Sequence, residues 1–182
     1  KINLLKENYL FILQHSVFKD KINYGKFFEN TIKASLKFKY KVFLIYPNYD
    51  PGYKFIIKII KKYKKKLTII KHLHRKDFLK LIYFSKIFLG NSSAGILETP
   101  TLNVPTVNIG DRQDQREQNK NIFNCSYNVS DIEKAIKNSL KYSENKKKIK
   151  NIHGDGRSSL RIIKTLNSIS NTKKFLNKKT TY

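Results

Sequence analysis

Four short runs at residues 9–13, 41–46, 67–70 and 87–89 constrain the fold of this chain more than anything else in it. None of the four reads as a strand with one wet face. Tyr9-Leu10-Phe11-Ile12-Leu13 and Ile87-Phe88-Leu89 are apolar throughout, the pattern of strands covered on both faces. Helical spacing separates them: Phe28, Ile32 and Leu36 share one stripe within residues 27–38, a second helix opens at Phe55, and a third spans residues 78–84. Pro47 stops the second strand, and Asn48-Tyr49-Asp50-Pro51-Gly52 is a turn cluster. Residues 104–109 read as a fifth strand and 121–125 as a short sixth. Asp131 is expected to cap a helix running to Tyr142, and Ser158 or Ser159 to start a last one that reaches Ile169. Strand followed by helix, again and again, implies an α/β fold: a Rossmann-like, doubly wound parallel sheet. Right-handed crossovers then put every strand-end loop on one edge of the sheet.

That edge carries the chemistry. The fourth apolar run leads into Gly90-Asn91-Ser92-Ser93-Ala94-Gly95-Ile96-Leu97-Glu98, a turn of small and hydroxyl residues that opens a helix. Backbone N–H groups and serine hydroxyls at a helix start favour an anion. Asn-Ser-Ser before a helix is equally an ordinary N-cap, so the turn alone leaves both readings open. The next strand ends in Ile109-Gly110-Asp111-Arg112-Gln113, with Arg116 four residues beyond Arg112, so a second polar cluster leaves the same sheet edge. Ligands of open α/β sheets bind there. His15 follows the first strand and Asn48 the second, which places both within reach of the same ligand.

At these residues the chain resembles the UDP-N-acetylglucosamine 2-epimerases, especially the hydrolysing branch that makes N-acetylmannosamine for sialic acid. The words that carry the resemblance are Gly90 to Glu98, then Val104-Pro105-Thr106-Val107-Asn108-Ile109-Gly110-Asp111-Arg112-Gln113, with Leu13-Gln14-His15 and Asn151-Ile152-His153-Gly154-Asp155-Gly156 in matching order. It covers nearly the whole chain but only the C-terminal half of a GT-B-type, two-domain family member. The resemblance implies that residues 1–171 form the nucleotide-binding domain, residues 172–182 a frayed basic tail, and that an N-terminal domain is missing. It further implies that Ser92, Ser93 and the Gly95 backbone hold the diphosphate of a UDP-sugar. Glu98 would accept from the ribose hydroxyls, with Asn48 and Arg116 as further substrate contacts. His15 and Arg112 would be catalytic, Arg112 by neutralising the departing diphosphate. The branch eliminates UDP to leave a glycal and then adds water, and its acid–base carboxylates belong largely to the other domain. A homodimer of the full-length enzyme and a bacterial, cytoplasmic setting come with the resemblance. Asp114-Gln115-Arg116 departs from the branch's usual small residue before arginine. Asp155 reads as a helix cap.

Composition sets the remaining bounds. A length of 182 residues suits one domain, and 12 Phe with 11 Tyr supply large core side chains. The absence of methionine and an opening that reads as the lead-in to a strand suggest an excised domain. No apolar run approaches the roughly 20 residues of a membrane helix, no signal-peptide pattern opens the chain, and one cysteine, Cys125, gives no disulfide framework. The cytoplasm is the expected compartment. A net charge of +25 points towards nucleic acid. Yet only Arg75, Arg112, Arg116, Arg157 and Arg161 are arginines among 38 basic residues. The lysines spread along the chain beside abundant Ile, Asn, Tyr and Phe, the bias of an A- and T-rich genome. The charge therefore reads as composition, and no specific nucleic-acid partner is expected. His72 and His74 form a His-x-His pair without a third ligand at useful spacing, so neither a metal nor another cofactor is expected. The resemblance implies that they line the base pocket through their backbone. Rivals to the principal reading are an epimerase for a UDP- or GDP-linked 2,4-diacetamido-trideoxyhexose, the non-hydrolysing branch, a glycosyltransferase of similar architecture, and a basic nucleic-acid-binding module.

Overall fold

The computed structural model describes residues 8–18, 23–144 and 148–169. It divides into two compact units, Lys1–Ile152 and His153–Tyr182. The strands of the first unit are β1 (Tyr9–Leu13), β2 (Lys41–Ile45), β3 (Thr68–Ile70), β4 (Ile87–Gly90), β5 (Thr106–Ile109) and β6 (Ile122–Cys125). Its helices are α1 (Tyr24–Ser35), α2 (Tyr53–Lys62), α3 (Arg75–Tyr83), α4 (Ala94–Leu97), α5 (Thr99–Leu102) and α6 (Val129–Glu144). The second unit contributes α7 (Ser158–Ser168). The tail at 172–182, read from the sequence as frayed, lies outside the described residues.

The sheet runs β3-β2-β1-β4-β5-β6 and every neighbouring pair is parallel. From β1 the chain winds outward to β3, returns beside β1 as β4 and winds the other way. The junction between β1 and β4 is thus a topological switch point, where the carboxyl ends of the strands leave a crevice. Both faces are covered, as the continuous apolar runs require. Leu10, Ile12, Val42, Leu44, Ile87 and Leu89 pack beneath α1, α2 and α6, through Phe28, Ile32, Ile56, Ile60, Ile132 and Ile136. Tyr9, Phe11, Phe43 and Phe88 point the other way, against Leu81 and Ile82 of α3. The Phe11 and Phe88 rings meet edge to face at 5.3 Å. Tyr9 donates its hydroxyl proton to the Leu81 carbonyl at 2.6 Å, so the one polar atom of that side chain is satisfied inside the core.

Several boundaries differ from the sequence reading: α2 opens at Tyr53, two residues before Phe55, and α3 spans Arg75–Tyr83 where the spacing predicts residues 78–84. Helix α1 begins at Tyr24 and not at Phe27, because Phe27 N–H already donates to Asn23 O at 2.9 Å; it closes at Ser35, before Phe38. Asp131 is not the cap of α6, which starts at Val129. Its carboxylate sits in the first turn and accepts from the Ser126 hydroxyl, whose oxygen in turn accepts Asn128 N–H at 3.1 Å. The helix after the serine turn is one turn long. It ends at Glu98 and restarts as α5 with Pro100 in its first turn, where a missing N–H costs nothing. In the second unit, Asp155 accepts from Arg157 N–H at the start of α7 and from both terminal nitrogens of Arg161. The Arg161 hydrogen bonds, foremost, hold its carboxyl well below the usual carboxylate range.

Gly90 makes the switch point possible. Its φ of 131° lies where side chains are strained, and a Cβ there would stand 2.0 Å from the Leu13 carbonyl oxygen. β1 and β4 can approach this closely at their ends only with glycine. Gly90→Ala is expected to lower stability by about 3 kcal/mol or more, read as a reduced urea midpoint with an unchanged slope.

Candidate functional site

A cleft of about 1170 Å³ opens at this edge, and His15, Asn48, Ser92, Ser93, Glu98 and Arg112 all line it. Strand ends position each of them: His15 follows β1, Asn48 follows β2, the two serines follow β4, and Arg112 follows β5. Arg116 is exposed and does not line the cleft; its N–H donates to Gln113 O at 3.3 Å in the loop after β5.

A buried amide assembles the site. Asn91 has no exposed surface, and its side chain grips the His15 backbone twice. Asn91 Oδ1 accepts His15 N–H at 2.7 Å, and Asn91 Nδ2 donates to His15 O at 2.9 Å. The Asn91 carbonyl accepts from Gln113 Nε2 at 2.8 Å and from Arg112 Nη1 at 3.2 Å. One residue therefore ties the ends of β1, β4 and β5 together, with the guanidinium of Arg112 drawn towards His15. Neither Asn91 nor Gln113 was identified as a site residue from sequence. Asn91 stood inside the motif, but its partners are 22 and 76 residues away.

His15 is neutral in this setting. Burial first, and then the positive charge of Arg112, bring its pKa down to about 4, against a smaller upward pull from Asp50. Asn48 N–H donates to His15 Nδ1 at 3.1 Å, so Nδ1 is the acceptor and the ring proton resides on Nε2. The imidazole thus offers a hydrogen-bond donor to the cleft without carrying a charge.

The serine turn has a different internal logic from a simple anion cradle. Gly95 N–H donates to Ser92 O at 3.0 Å, and Ala94 N–H reaches Ser92 Oγ at 3.4 Å. Glycine at 95 answers a packing demand: a Cβ there would lie 2.8 Å from Thr106 Cγ2 and 2.9 Å from the Phe88 ring. Close seating of α4 on β4 and β5 follows. Behind it, the Thr99 hydroxyl contacts Gly95 O at 2.6 Å and Thr106 Oγ1 at 2.8 Å, and Asn121 Nδ2 donates to Thr99 Oγ1 at 3.1 Å. Glu98 closes α4 and pairs with Arg75, whose Nη1 donates to Glu98 Oε1 at 2.5 Å. Glu98 Oε2 has no partner and no contact with solvent.

The His72 and His74 rings stand 6.3 Å apart, and only His72 lines the cleft. Among the described residues no group of three or more His, Cys, Asp or Glu side chains could hold a metal ion. Burial pushes the Cys125 thiol up to about 12, which keeps it protonated and unreactive.

This arrangement has relatives. The sequence model of the family described as UDP-N-acetylglucosamine 2-epimerase matches residues 1–167. The chain belongs to that family. A Legionella pneumophila UDP-N,N'-diacetylbacillosamine 2-epimerase (hydrolyzing) is 36% identical over 159 residues, which is 85% of this chain and 41% of the relative. A Neisseria meningitidis UDP-N-acetylglucosamine 2-epimerase is 38% identical over 93 residues, 50% of this chain and 25% of its own. A solved structure of UDP-GlcNAc 2-epimerase from Neisseria meningitidis, bound to UDP-GlcNAc, superposes with a TM-score of 0.72 at 16% identity, over 90% of this chain and 45% of that one. At that identity the superposition speaks for the fold, a Rossmann-like half of a GT-B architecture. The chain spans less than half the length of these relatives. No helix among the described residues is long and apolar enough to cross a membrane.

The neutral histidine has a measurable signature. An unfolded histidine titrates near 6.5 and the folded His15 near 4, so between these values the unfolded chain binds the extra proton. The His15 contribution is intact above pH 6.5 and is lost as pH falls towards 4, up to about 3 kcal/mol. NMR of the ring should show no titration above pH 5, and His15→Gln should remove this part of the acid slope in urea unfolding.

Proposed function

We propose that this chain supplies the nucleotide-holding half of a hydrolysing 2-epimerase for UDP-linked 2-acetamido sugars, converting UDP-N-acetylglucosamine and water to N-acetylmannosamine and UDP. The observation that carries the reading is the Asn91 junction. It holds the His15 backbone and draws in the Arg112 guanidinium at the switch point of the sheet, in the cleft that Ser92 and Ser93 also line. Donors fixed before the reaction are suited to charge that develops during it.

In this reading the diphosphate lies along Ser92 and Ser93, near Arg112. The C2 proton is removed and the C1–O bond breaks, its electron pair leaving with UDP, and a glycal remains. Arg112 meets the growing negative charge on the leaving diphosphate, while His15 Nε2–H donates to a phosphate or sugar oxygen without competing for the C2 proton. Water then adds across the double bond from the opposite face, which inverts C2. The group that takes the C2 proton is assigned to the remainder of the protein and not to these residues. Glu98 receives a ribose hydroxyl, and Asn48 presents its backbone to His15 more than its side chain to the ligand. Arg116, on the exposed loop, is left without a part in holding substrate.

A second reading of the sugar is favoured by the Legionella relative, which matches 85% of this chain and is named for N,N'-diacetylbacillosamine. In that case the substrate is a UDP-linked 2,4-diacetamido-trideoxyhexose and the chemistry at C1 and C2 is the same.

Calorimetric titration of UDP, GDP and ADP into the chain tests the nucleotide site. UDP is expected to bind best, with Ser93→Ala and Arg112→Gln each weakening it roughly tenfold. Equal, weak binding of all three that vanishes with added salt would overturn the reading in favour of a polycation. Assay of the whole protein on the two UDP-sugars, with the released amino sugar identified, decides between them.

A further inference from the structure

Arg112 is exposed, and its guanidinium is held by a 3.2 Å hydrogen bond to the Asn91 carbonyl. A contact of that length does little to fix a long side chain, so the place of Arg112 depends on the loop that carries it. On the cleft side the loop is anchored by Gln113, which donates to the same carbonyl. At its other end stands Gly110, directly after β5, with a φ of 75°. Glycine takes positive and negative φ with similar ease, so nothing in Gly110 itself selects this conformation. The selection comes from outside.

Tyr127, just past β6, lies against that glycine. A Cβ at Gly110 would overlap Cζ and the hydroxyl oxygen of Tyr127, so the ring rests on bare backbone. The ring is itself held by α1. It stacks on Phe27 with centroids 4.0 Å apart and planes 1° from parallel, and Asn30 Nδ2 donates to the Tyr127 carbonyl at 2.9 Å. Gly110 N–H donates to Cys125 O at 2.9 Å, which keeps the end of β6 alongside. Tyr127 and Phe27 also line the narrow space behind His15, beside Gln14 and Ser16. Tyr127 is not part of the cleft lining, so it touches no ligand there. A rotation at Gly110 that swung its flanking peptides would drive them into the stacked rings. We propose that Tyr127 is a positioning residue: by confining Gly110 it fixes the backbone from which Arg112 reaches the nucleotide diphosphate. The packing of α1 is thereby carried into the affinity of the site. This rests on the reading of Arg112 as a diphosphate contact.

The test measures UDP affinity by calorimetry on the 182-residue chain, with a urea midpoint for each variant. The variants are Tyr127→Leu, Tyr127→Phe, Arg112→Gln and the Tyr127→Leu/Arg112→Gln pair. Tyr127→Leu is expected to weaken UDP roughly two- to tenfold, the range for an arginine that must be ordered on binding. On the Arg112→Gln background it should have no further effect, because nothing is left to position. Tyr127→Phe keeps the flat ring and should recover most of the affinity. Phe27→Leu leaves Tyr127 in place without the ring behind it, and serves in the same cycle if Tyr127→Leu does not fold. Full additivity with Arg112→Gln would overturn the inference and make Tyr127 a packing residue only. If Arg112→Gln weakens UDP while Tyr127→Leu does not, the inference fails alone. If Arg112→Gln binds UDP as the unaltered chain does, the diphosphate reading of Arg112 falls and takes the inference with it.

Discussion

Two hydrogen bonds between the Asn91 side chain and the His15 backbone hold the functional edge of this sheet in shape. The last paired residues of β1 and β4 are Leu13 and Gly90. Beyond them a parallel ladder would normally end and the two loops would diverge. A side-chain amide has the same donor and acceptor as a peptide unit, so Asn91 extends the interaction past the strand ends. The close approach that Gly90 permits makes this reach possible. The Asn91 carbonyl then recruits Gln113 and Arg112 from the end of β5. Every polar group in such a buried cluster is worth more with its partners than alone, so the loops that carry the chemistry are rigid where they leave the sheet.

Much of this architecture was legible in the residues and some of it was not, for physical reasons. The apolar runs of β1 and β4 announced strands covered on both faces, and their order with the helices implied a parallel sheet. The strand-end positions of His15, Ser92, Ser93 and Arg112 then followed from chirality. Helix ends were harder. The start of α1 at Tyr24 depends on Asn23 accepting a backbone bond, and the break between α4 and α5 depends on where Pro100 can sit. The pairings that organise the site were invisible because they are long-range: Asn91 meets His15 across 76 residues, and Arg75 meets Glu98 across 23.

The large positive charge acts at a distance from these contacts. Lys62 pairs with Glu29 at 2.7 Å and Lys37 with Glu133 at 2.6 Å, exposed lysines reaching half-buried carboxylates in pairs that contribute little to stability. Basic residues outnumber acidic ones in the sequence by 38 to 13. Their summed field draws anions of any kind towards the molecule and is screened by salt. Selection among those anions falls to the neutral and short-range groups of the cleft.

The tautomer of His15 has a consequence for how a ligand must lie. With Nδ1 taken by Asn48 N–H, the histidine has only a proton to offer, and Arg112 beside it has only protons as well. At the α4–α5 junction the cleft is lined by a carboxylate, Glu98, which can only accept. The cleft is therefore polar in the sense of a socket with two unlike contacts, giving protons at one end and taking them at the other. A molecule that is all acceptor, such as a bare polyphosphate, can satisfy one end only. One that joins an anion to a pair of hydroxyls fits in a single sense and misfits when reversed.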